Sequence, residues 1–362
     1  MPSQDYHPPD FTAPALVTAP DARFAMVTAD GVLPEGFFST SNLPTYVRVG
    51  SRWLLPTRPR MDCVIVRRGD SLEVMEPRRL RTGDLVAMGG DEDGSAGILV
   101  HTEGFLGWTH SPNEFRFMST EISRERPSNY EELARRLLEE REQGGYLVWV
   151  TGPALVHSRA RRDFQWFIEQ GFVQAMLAGN AVAVHDIEAA IYGTTLGMTS
   201  TGRPTDGGHG LHMRAINKVQ ASGSIEAAVE SGLVRDGIMH ALVTHRIPFV
   251  LAGSIRDDGP LPGVYSDVLG AQDAMREHTV RATGALLIAS ALHAIAVGNM
   301  LPAYHTNYGG VPTPLMTICV DQTEFVVSKL RDRGTHQAFG VVTNAQDFMH
   351  VLRSYLEKAG GQ

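Results

Sequence analysis

The sequence predicts an α/β fold, and three observations support this prediction. From residue 145 onward, short apolar runs alternate with segments of helical periodicity, a pattern typical of a parallel sheet with helices on both faces. Before residue 128, the apolar runs are short and separated by glycine turns, with little helical periodicity. The 362 residues, 43% of them hydrophobic, are enough for two domains with cores of their own.

We therefore predict three regions along the chain. Residues 1–20 are polar and proline-rich, so we expect a disordered or loosely attached arm. Residues 21–125 are expected to form a small β-rich domain, because runs such as Tyr46–Val49 and Cys63–Val66 are typical of strands. Residues 126–362 are expected to form a doubly wound, mostly parallel, Rossmann-like domain.

The second domain is predicted to begin with a helix, because Ser128 and Glu131 have the spacing of a capping box. Six strands are then expected, at 146–150, 173–178, 249–252, 285–290, 316–320 and 337–342. Helices are expected to end near residues 170 and 192 and to cover 211–222, 224–232, 235–245, 266–281, 323–333 and 347–358. In an open sheet of this kind, ligands bind beyond the carboxyl ends of the strands.

The loop after the third predicted strand carries two adjacent carboxylates at such an end. Phe249–Ala252 is followed closely by Arg256, Asp257 and Asp258. Carboxylates there are costly unless they are solvated, paired or used by a ligand. Asp257 and Asp258 are therefore candidate catalytic residues, and a solvated loop with a local Arg–Asp pair is the alternative.

Other strand ends offer groups suited to a nucleotide. Asp321 could accept hydrogen bonds from both ribose hydroxyls of an adenosine and would repel a 2′-phosphate, which favours NAD over NADP. Alternatively, Asp321 is a carboxylate at a helix N-terminus, favoured by the helix dipole. The GxGxxG fingerprint is absent. Gly179-Asn180 and Gly298-Asn299 are instead candidates for close backbone approach to a ligand, or else ordinary turns.

Two histidines are candidates for proton transfer. His293 follows the predicted strand at 285–290 and is either a hydrogen-bonded core residue or a ligand contact. His209 lies in the glycine-rich stretch 193–210, and His212 follows it. Two histidines without a spaced third ligand do not favour a metal site, so we expect none and favour a loop that carries His209 over a pocket. The GxSxG, Walker and HExxH motifs are absent.

Composition argues against several classes of partner. The chain has 32 basic and 40 acidic residues, a net charge of −8, which disfavours binding to nucleic acid. The longest apolar run is shorter than the roughly 20 residues that span a membrane, and no signal peptide is recognisable. The two cysteines are far apart and suit a reducing compartment. We therefore expect a cytoplasmic protein without nucleic-acid or membrane partners.

Seven stretches of the second domain are similar to one known family. They are TGPALVH (151–157), LAGNAVAVHDIEAA (177–190), GGHGLHMRAIN (207–217), FVLAGSIRDDGPLP (249–262), HAIAVGNMLP (293–302), TICVD (317–321) and DRGTHQAFGVVT (332–343). They resemble the archaeal-type ornithine cyclodeaminases, a family that also forms the C-terminal half of cyanobacterial bifunctional arginine-degrading, proline-producing enzymes. Residues 29–49 and 59–66 resemble its companion domain, named after lysine-oxoglutarate reductase and saccharopine dehydrogenase. The resemblance covers about residues 25–355.

The resemblance implies a reaction that converts L-ornithine to L-proline and ammonia with tightly held NAD. In this family, NAD takes a hydride from the substrate α-carbon to give an imine. The δ-amine then attacks, ammonia leaves, and the cyclic imine takes the hydride back, so no net oxidation occurs. Catalytic roles are expected for Asp257, Asp258, His293 and His209. The NAD contacts implied by the motifs are Asn180, Ala181, Asp258, Ser290, Ala291, Leu292, His293, Asp321, Asn344 and Ala345.

The chain departs from the family pattern in three places. Ser290-Ala291-Leu292-His293 stands where the family usually has Thr-Met-Leu-His, and Asn344 stands where it usually has Asp. About ten extra residues follow Pro302, a change that bears on the substrate pocket more than on NAD.

Two alternative functions stay open for the sequence, and a homo-oligomer, dimer or tetramer, is expected in each case. The first is a related NAD-dependent enzyme acting on another basic amino acid or on a polyamine, as in deoxyhypusine or homospermidine synthases. That reaction needs a lysine nucleophile, but Lys218, Lys329 and Lys358 all lie in predicted helices. The second is a non-catalytic module that binds NAD or an amino acid.

Overall fold

The computed structural model describes residues 6–105, 129–199, 201–255, 257, 259–306, 310–332 and 338–360. The chain forms two compact units. The first is drawn from Met1–Ile122, Gly298–Leu315 and Arg331–Gln337, and the second from Ser123–Val297, Met316–Leu330 and Ala338–Gln362. The predicted boundary between residues 125 and 126 lies outside the described residues.

The bounds of the described elements are as follows. The strands are β1 (Arg23–Met26), β2 (Thr45–Val49), β3 (Arg52–Leu54), β4 (Val64–Arg68), β5 (Ser71–Met75), β6 (Leu85–Met88), β7 (Ile98–Val100), β8 (Leu147–Thr151), β9 (Ala175–Gly179), β10 (Thr194–Thr195), β11 (Met198–Thr199), β12 (Phe249–Ala252), β13 (Gly284–Ile288), β14 (Tyr304–Thr306), β15 (Pro312–Pro314), β16 (Met316–Asp321) and β17 (Ala338–Val342). The α-helices are α1 (Pro14–Val17), α2 (Tyr130–Glu142), α3 (Ala154–His157), α4 (Arg161–Glu169), α5 (Asn180–Tyr192), α6 (Leu211–Ser222), α7 (Ile225–Glu230), α8 (Ile238–Thr244), α9 (Val268–Thr279), α10 (Ala291–Met300), α11 (Glu324–Asp332) and α12 (Ala345–Gly360).

The first unit consists mainly of antiparallel strands, as expected for the β-rich domain. One sheet has the order β1-β6-β4-β5 and another the order β3-β2-β7. The described part of the predicted arm lies against these strands: the Tyr6 and Tyr46 hydroxyls are 2.8 Å apart, and the Trp53 indole donates to the Leu16 carbonyl. The antiparallel pair β14–β15, which follows Pro302, also belongs to this unit, and the Ala303 amide donates to the Asn42 carbonyl.

The second unit is built around a six-stranded sheet in which every pairing is parallel. Its spatial order is β12-β9-β8-β13-β16-β17. Numbered along the chain, these strands lie in the order 3-2-1-4-5-6, which is the order of the doubly wound dinucleotide-binding fold. The strands are buried, and Trp149, Phe164 and Phe167 form part of the core between sheet and helices. The predicted fold class is confirmed.

Three local details differ from the sequence prediction. The helix α2 is capped by Asn129, whose side chain accepts from the Glu132 amide, whereas Ser128 lies outside the described residues. The predicted helix up to residue 170 is two helices, α3 and α4, separated near Arg159 in a left-handed conformation. The strand expected at 285–290 ends at Ile288, because Ala289 has φ +56° and turns the chain toward α10.

No helix in the described ranges is both long enough and apolar enough to cross a membrane.

Candidate functional site

The order of strands along the second sheet reverses between β8 and β13, and the loops that follow these two strands touch. The Gly152 amide donates to the Ile288 carbonyl at 2.9 Å, and a Cβ atom placed on Gly152 would overlap the Ala289 carbonyl oxygen. Gly152, the single glycine after β8, therefore allows the loops after β8 and β13 to pack against each other. Beside it, the Thr151 hydroxyl is fully buried and has no hydrogen-bond partner within the described part of the chain.

His293 reaches from the end of β13 to the end of β9. Its Nδ1 lies 3.0 Å from the Ser290 hydroxyl, which also accepts from the His293 amide at the start of α10. A Cβ atom placed on Gly179 would lie 2.8 Å from His293 Cε1 and 3.3 Å from Nε2, so only glycine leaves room for this ring. Burial lowers the pKa of His293 below its ordinary value of 6.5, which favours a neutral imidazole at pH 7.

The other nitrogen of this imidazole, Nε2, lies beside Gly179 at the end of β9. Because Ser290 holds Nδ1, Nε2 is left without a hydrogen-bond partner among the described residues. Ala291 and Leu292, in the same first turn of α10, are exposed, and Leu292 shows 73% of its accessible surface. A neutral imidazole with one fixed and one free nitrogen can accept or pass on a proton at the carboxyl edge of the sheet.

Asn180 connects the end of β9 to the loop that follows β12. The side chain of Asn180 is buried, and its Oδ1 accepts from the Leu261 amide at 3.1 Å. Ala181, the next residue in α5, is partly exposed. The sequence pointed to Gly179-Asn180 as a place where the backbone approaches a ligand. In the structure, Gly179 leaves room for the His293 ring, and the Asn180 side chain accepts from the Leu261 amide. These two contacts explain why glycine and asparagine are found there.

Asp257 lies in the loop after β12 and has a local structural role. Its Oδ2 accepts from the Ser254 amide at 2.8 Å, while Oδ1 has no partner among the residues that the structure describes. The predicted catalytic residue Asp258 and its neighbour Arg256 lie outside the described residues. Asp257 thus stabilises its own loop through Oδ2.

Asp321 and Asn344 lie at the ends of β16 and β17. Asp321 Oδ1 accepts from both the amide and the hydroxyl of Thr323, each at 3.0 Å, and its Oδ2 accepts no hydrogen bond from the described residues. Asn344 Oδ1 accepts from the Asp347 amide at 2.8 Å and so caps α12, in which Ala345 is buried. Both residues therefore fix local turns, and Asp321 retains one free oxygen at the edge.

His209 lies in the glycine-rich segment that precedes α6. The side chain of His209 is exposed, and the residue lies on a 3₁₀ turn, Gly208–Gly210, that leads into α6. Within α6, the Met213 methyl group lies 4.0 Å from a Cβ atom placed on Gly259, and the Gln220 amide donates to the Pro260 carbonyl. These contacts hold α6 against the loop that contains Asp257. Across the described ranges, no group of three or more His, Cys, Asp or Glu side chains could hold a metal ion.

Three polar residues on α3 and α5, two of them buried, were missed from the sequence. Glu188 on α5 is fully buried and accepts from Thr194, Leu196, Gly197 and His185. The ring centroids of His185 and His157 are 4.5 Å apart, and burial lowers the pKa of His157. The signal was available: His185 and Glu188 are polar residues three positions apart in a helix that is otherwise nearly all apolar.

The strand order 3-2-1-4-5-6 defines a Rossmann-type fold. Two family models extend this conclusion. One, described as arginine dihydrolase ArgZ-like, C-terminal, Rossmann fold, matches residues 131–352, and the model of the first region of the same C-terminal part matches residues 44–131. The chain belongs to this family. The motifs in the sequence had indicated the same family, through their resemblance to the archaeal ornithine cyclodeaminases and to the cyanobacterial bifunctional enzymes.

Individual relatives agree with this assignment. The ornithine cyclodeaminase of Methanopyrus kandleri is 41% identical over 93% of this chain and 79% of its own length. A conserved LOR/SDH protein from Methanococcus maripaludis S2 has a crystal structure that superposes with a TM-score of 0.84 at 38% identity, covering 94% of this chain and 99% of its own.

The third relative is AgrE of a Nostoc species, a bifunctional arginine dihydrolase/ornithine cyclodeaminase. It is 38% identical over 93% of this chain, which spans 47% of AgrE. The crystal structure of AgrE in ternary complex with ornithine and NAD+ gives a TM-score of 0.59 at 35% identity, covering 95% of this chain and 47% of AgrE.

Proposed function

We propose that this protein is an NAD-dependent ornithine cyclodeaminase that converts L-ornithine to L-proline and ammonia. One observation carries the proposal beyond family membership. His293 bridges the ends of β9 and β13, held by Ser290 through Nδ1, with a neutral ring and a free Nε2. Removal of an amine and ring closure both need protons to be taken up and released at a defined place, and this nitrogen suits that work.

The residues at the carboxyl edge fit NAD as a bound cofactor. The free Oδ2 of Asp321 can accept ribose hydroxyls, and the unpartnered hydroxyl of Thr151 lies buried where the strand order reverses, the usual place for a dinucleotide in this fold. The set proposed to hold it is Asn180, Ala181, Asp258, Ser290, Ala291, Leu292, His293, Asp321, Asn344 and Ala345. When bound, NAD would supply a hydride acceptor and donor.

The chain's own residues have separate proposed roles in the reaction. His293 takes and returns a proton through Nε2. Asp257, through its free Oδ1, and Asp258 bind the ammonium groups of the substrate, because carboxylates at a strand end are then paired with opposite charge. His209 approaches the edge from the glycine-rich segment and closes the site against water.

The test is release of proline and ammonia from L-ornithine by the purified protein, with and without added NAD. We expect equal amounts of both products and no net NADH. His293→Asn should lower kcat by about a hundredfold or more, the usual contribution of a general acid–base residue. His278→Asn is the matched control. His278 is also held through Nδ1, by Tyr146, and also has a pKa lowered by burial, but it pairs with a residue at the amino end of β8.

Three outcomes would contradict parts of the proposal. If NAD stabilises the protein but ornithine yields no product, the substrate is another basic amino acid or amine. If His293→Asn and His278→Asn lose activity equally, His293 has no special chemical role. Asp321→Ala should weaken NAD binding, and an unchanged dissociation constant would remove its ribose role.

We further propose that the protein works in the cytoplasm as a homo-oligomer. Cys63 and Cys319 are both buried and form no disulfide, which suits a reducing compartment. Light scattering of the purified protein measures the oligomeric state, and a monomeric mass at all concentrations would contradict the second part.

A further inference from the structure

The glycine-rich segment that carries His209 begins with a short hairpin of unusual sequence. The strands β10 and β11 pair Thr194 with Thr199 and Thr195 with Met198, which leaves Leu196 and Gly197 as the turn. Both turn residues have positive φ, +52° and +70°. This is the type I′ pattern, normally built from Asn-Gly, and a leucine in a left-handed conformation is unfavourable. Some other contact must stabilise the turn.

Glu188 provides that contact from beneath the hairpin. The carboxylate is fully buried on α5. Its Oε1 accepts from the Gly197 amide at 2.9 Å and from the Thr194 hydroxyl at 3.0 Å, and its Oε2 accepts from the Leu196 amide at 3.0 Å. A buried carboxylate is tolerated only when its oxygens are hydrogen-bonded, so the helix and the hairpin turn stabilise each other.

The hairpin turn, once anchored, fixes the position of Gly208, the residue before His209. A Cβ atom on Gly208 would lie 2.7 Å from the Gly197 carbonyl oxygen, so the two glycines are in direct backbone contact. The Thr205 amide donates to the same Gly197 carbonyl, and the Gly208 amide donates to the Thr205 carbonyl. A continuous set of contacts therefore runs from Glu188 through Gly197 to Gly208, the neighbour of His209.

We propose that Glu188 is a positioning residue, which holds the hairpin and thereby fixes the backbone at Gly208 and, with it, the position of His209. The effect on catalysis that this inference expects rests on the proposed function. Its structural part, the anchoring of residues 193–210, is independent of which substrate is used. Glu188 acts through the hairpin and through His209, and it has no part in the chemistry itself.

The test compares Glu188→Gln with Asp186→Asn in the full-length protein. Asp186 is an equally buried carboxylate on the same helix, but it accepts from Arg161 and from the amides of Ile238 and Met239. Amide hydrogen exchange should be at least about tenfold faster over residues 193–210 in Glu188→Gln, with the strands of the sheet unchanged. Asp186→Asn should leave exchange of this segment unchanged relative to the sheet.

Activity on ornithine distinguishes positioning from mere stability. Glu188→Gln should lower kcat at least about tenfold while the dissociation constant of NAD stays the same. Gly208→Ala breaks the contact with Gly197 and leaves Glu188 intact, so it should reproduce both effects. This variant replaces Glu188→Gln in the test if Glu188→Gln does not fold. Wild-type exchange rates in both variants, or fast exchange with unchanged kcat, would overturn the proposal. If the wild-type protein does not use ornithine, the exchange measurements still decide whether Glu188 anchors the segment.

Discussion

Two glycines lie at the carboxyl ends of the neighbouring strands β8 and β9, and glycine is required at the two positions for different reasons. Gly152, after β8, is pressed against the backbone carbonyl of Ala289, whereas Gly179, at the end of β9, is pressed against the imidazole of His293. Backbone in a loop held at both ends cannot move aside, but a side chain can rotate. The comparison separates a glycine that closes the fold from a glycine that makes room for a functional group.

The largest effect is expected from Gly152→Ala. The added methyl group would overlap the Ala289 carbonyl oxygen, and Ala289 already has a left-handed conformation in which its amide donates a hydrogen bond to the Val320 carbonyl. We expect a loss of about 3 kcal/mol in the free energy of unfolding, the upper end for overpacking. Urea denaturation measures it, with Gly90→Ala as control, because a Cβ there meets no described atom within 4 Å. Equal stability of the two variants would contradict the assigned role of Gly152.

A smaller loss of stability and a larger loss of activity are expected from Gly179→Ala. The methyl group displaces the His293 ring from the position that Ser290 defines, and a shift of about 1 Å at a catalytic group can cost about a hundredfold in rate. Stability should fall by only about 1 kcal/mol, since a side chain can move aside. Kinetics on ornithine beside urea denaturation give both values. Full activity in this variant would mean that the ring position of His293 is unimportant.

The sequence predicted the sheet well, because each buried strand is a distinct apolar run bounded by glycine or polar residues. It also pointed to His293 and Gly179, but not to their contact, which joins residues more than a hundred positions apart. The early end of β13 depends on one backbone angle at Ala289, and no pattern in the sequence encodes that angle. Glu188 was missed because its partners, the amides of Leu196 and Gly197, belong to a hairpin turn that the sequence analysis did not predict.

Asp321 shows why both interpretations of one residue can hold. The sequence left open a ribose ligand and a local helix-terminal carboxylate. In the structure Oδ1 serves the turn at Thr323, and Oδ2 is without a partner among the described residues. A carboxylate has two oxygens, so a sequence-based choice between the two roles was unnecessary.

The smallest expected effect is the pH dependence that buried His293 gives to stability. Its pKa in the folded protein is lowered by burial, so below the ordinary value of 6.5 the unfolded chain binds a proton that the folded chain does not. Stability is therefore fully present above pH 6.5 and is lost as the pH falls toward the folded pKa, at up to about 1.4 kcal/mol per pH unit. His293→Asn should flatten the dependence of unfolding free energy between pH 6.5 and 5, while His157 and His278, also lowered by burial, keep part of the slope. Urea denaturation across this range measures it, and parallel curves for the variant and the wild type would mean that the imidazole is not buried as the contact with Gly179 requires.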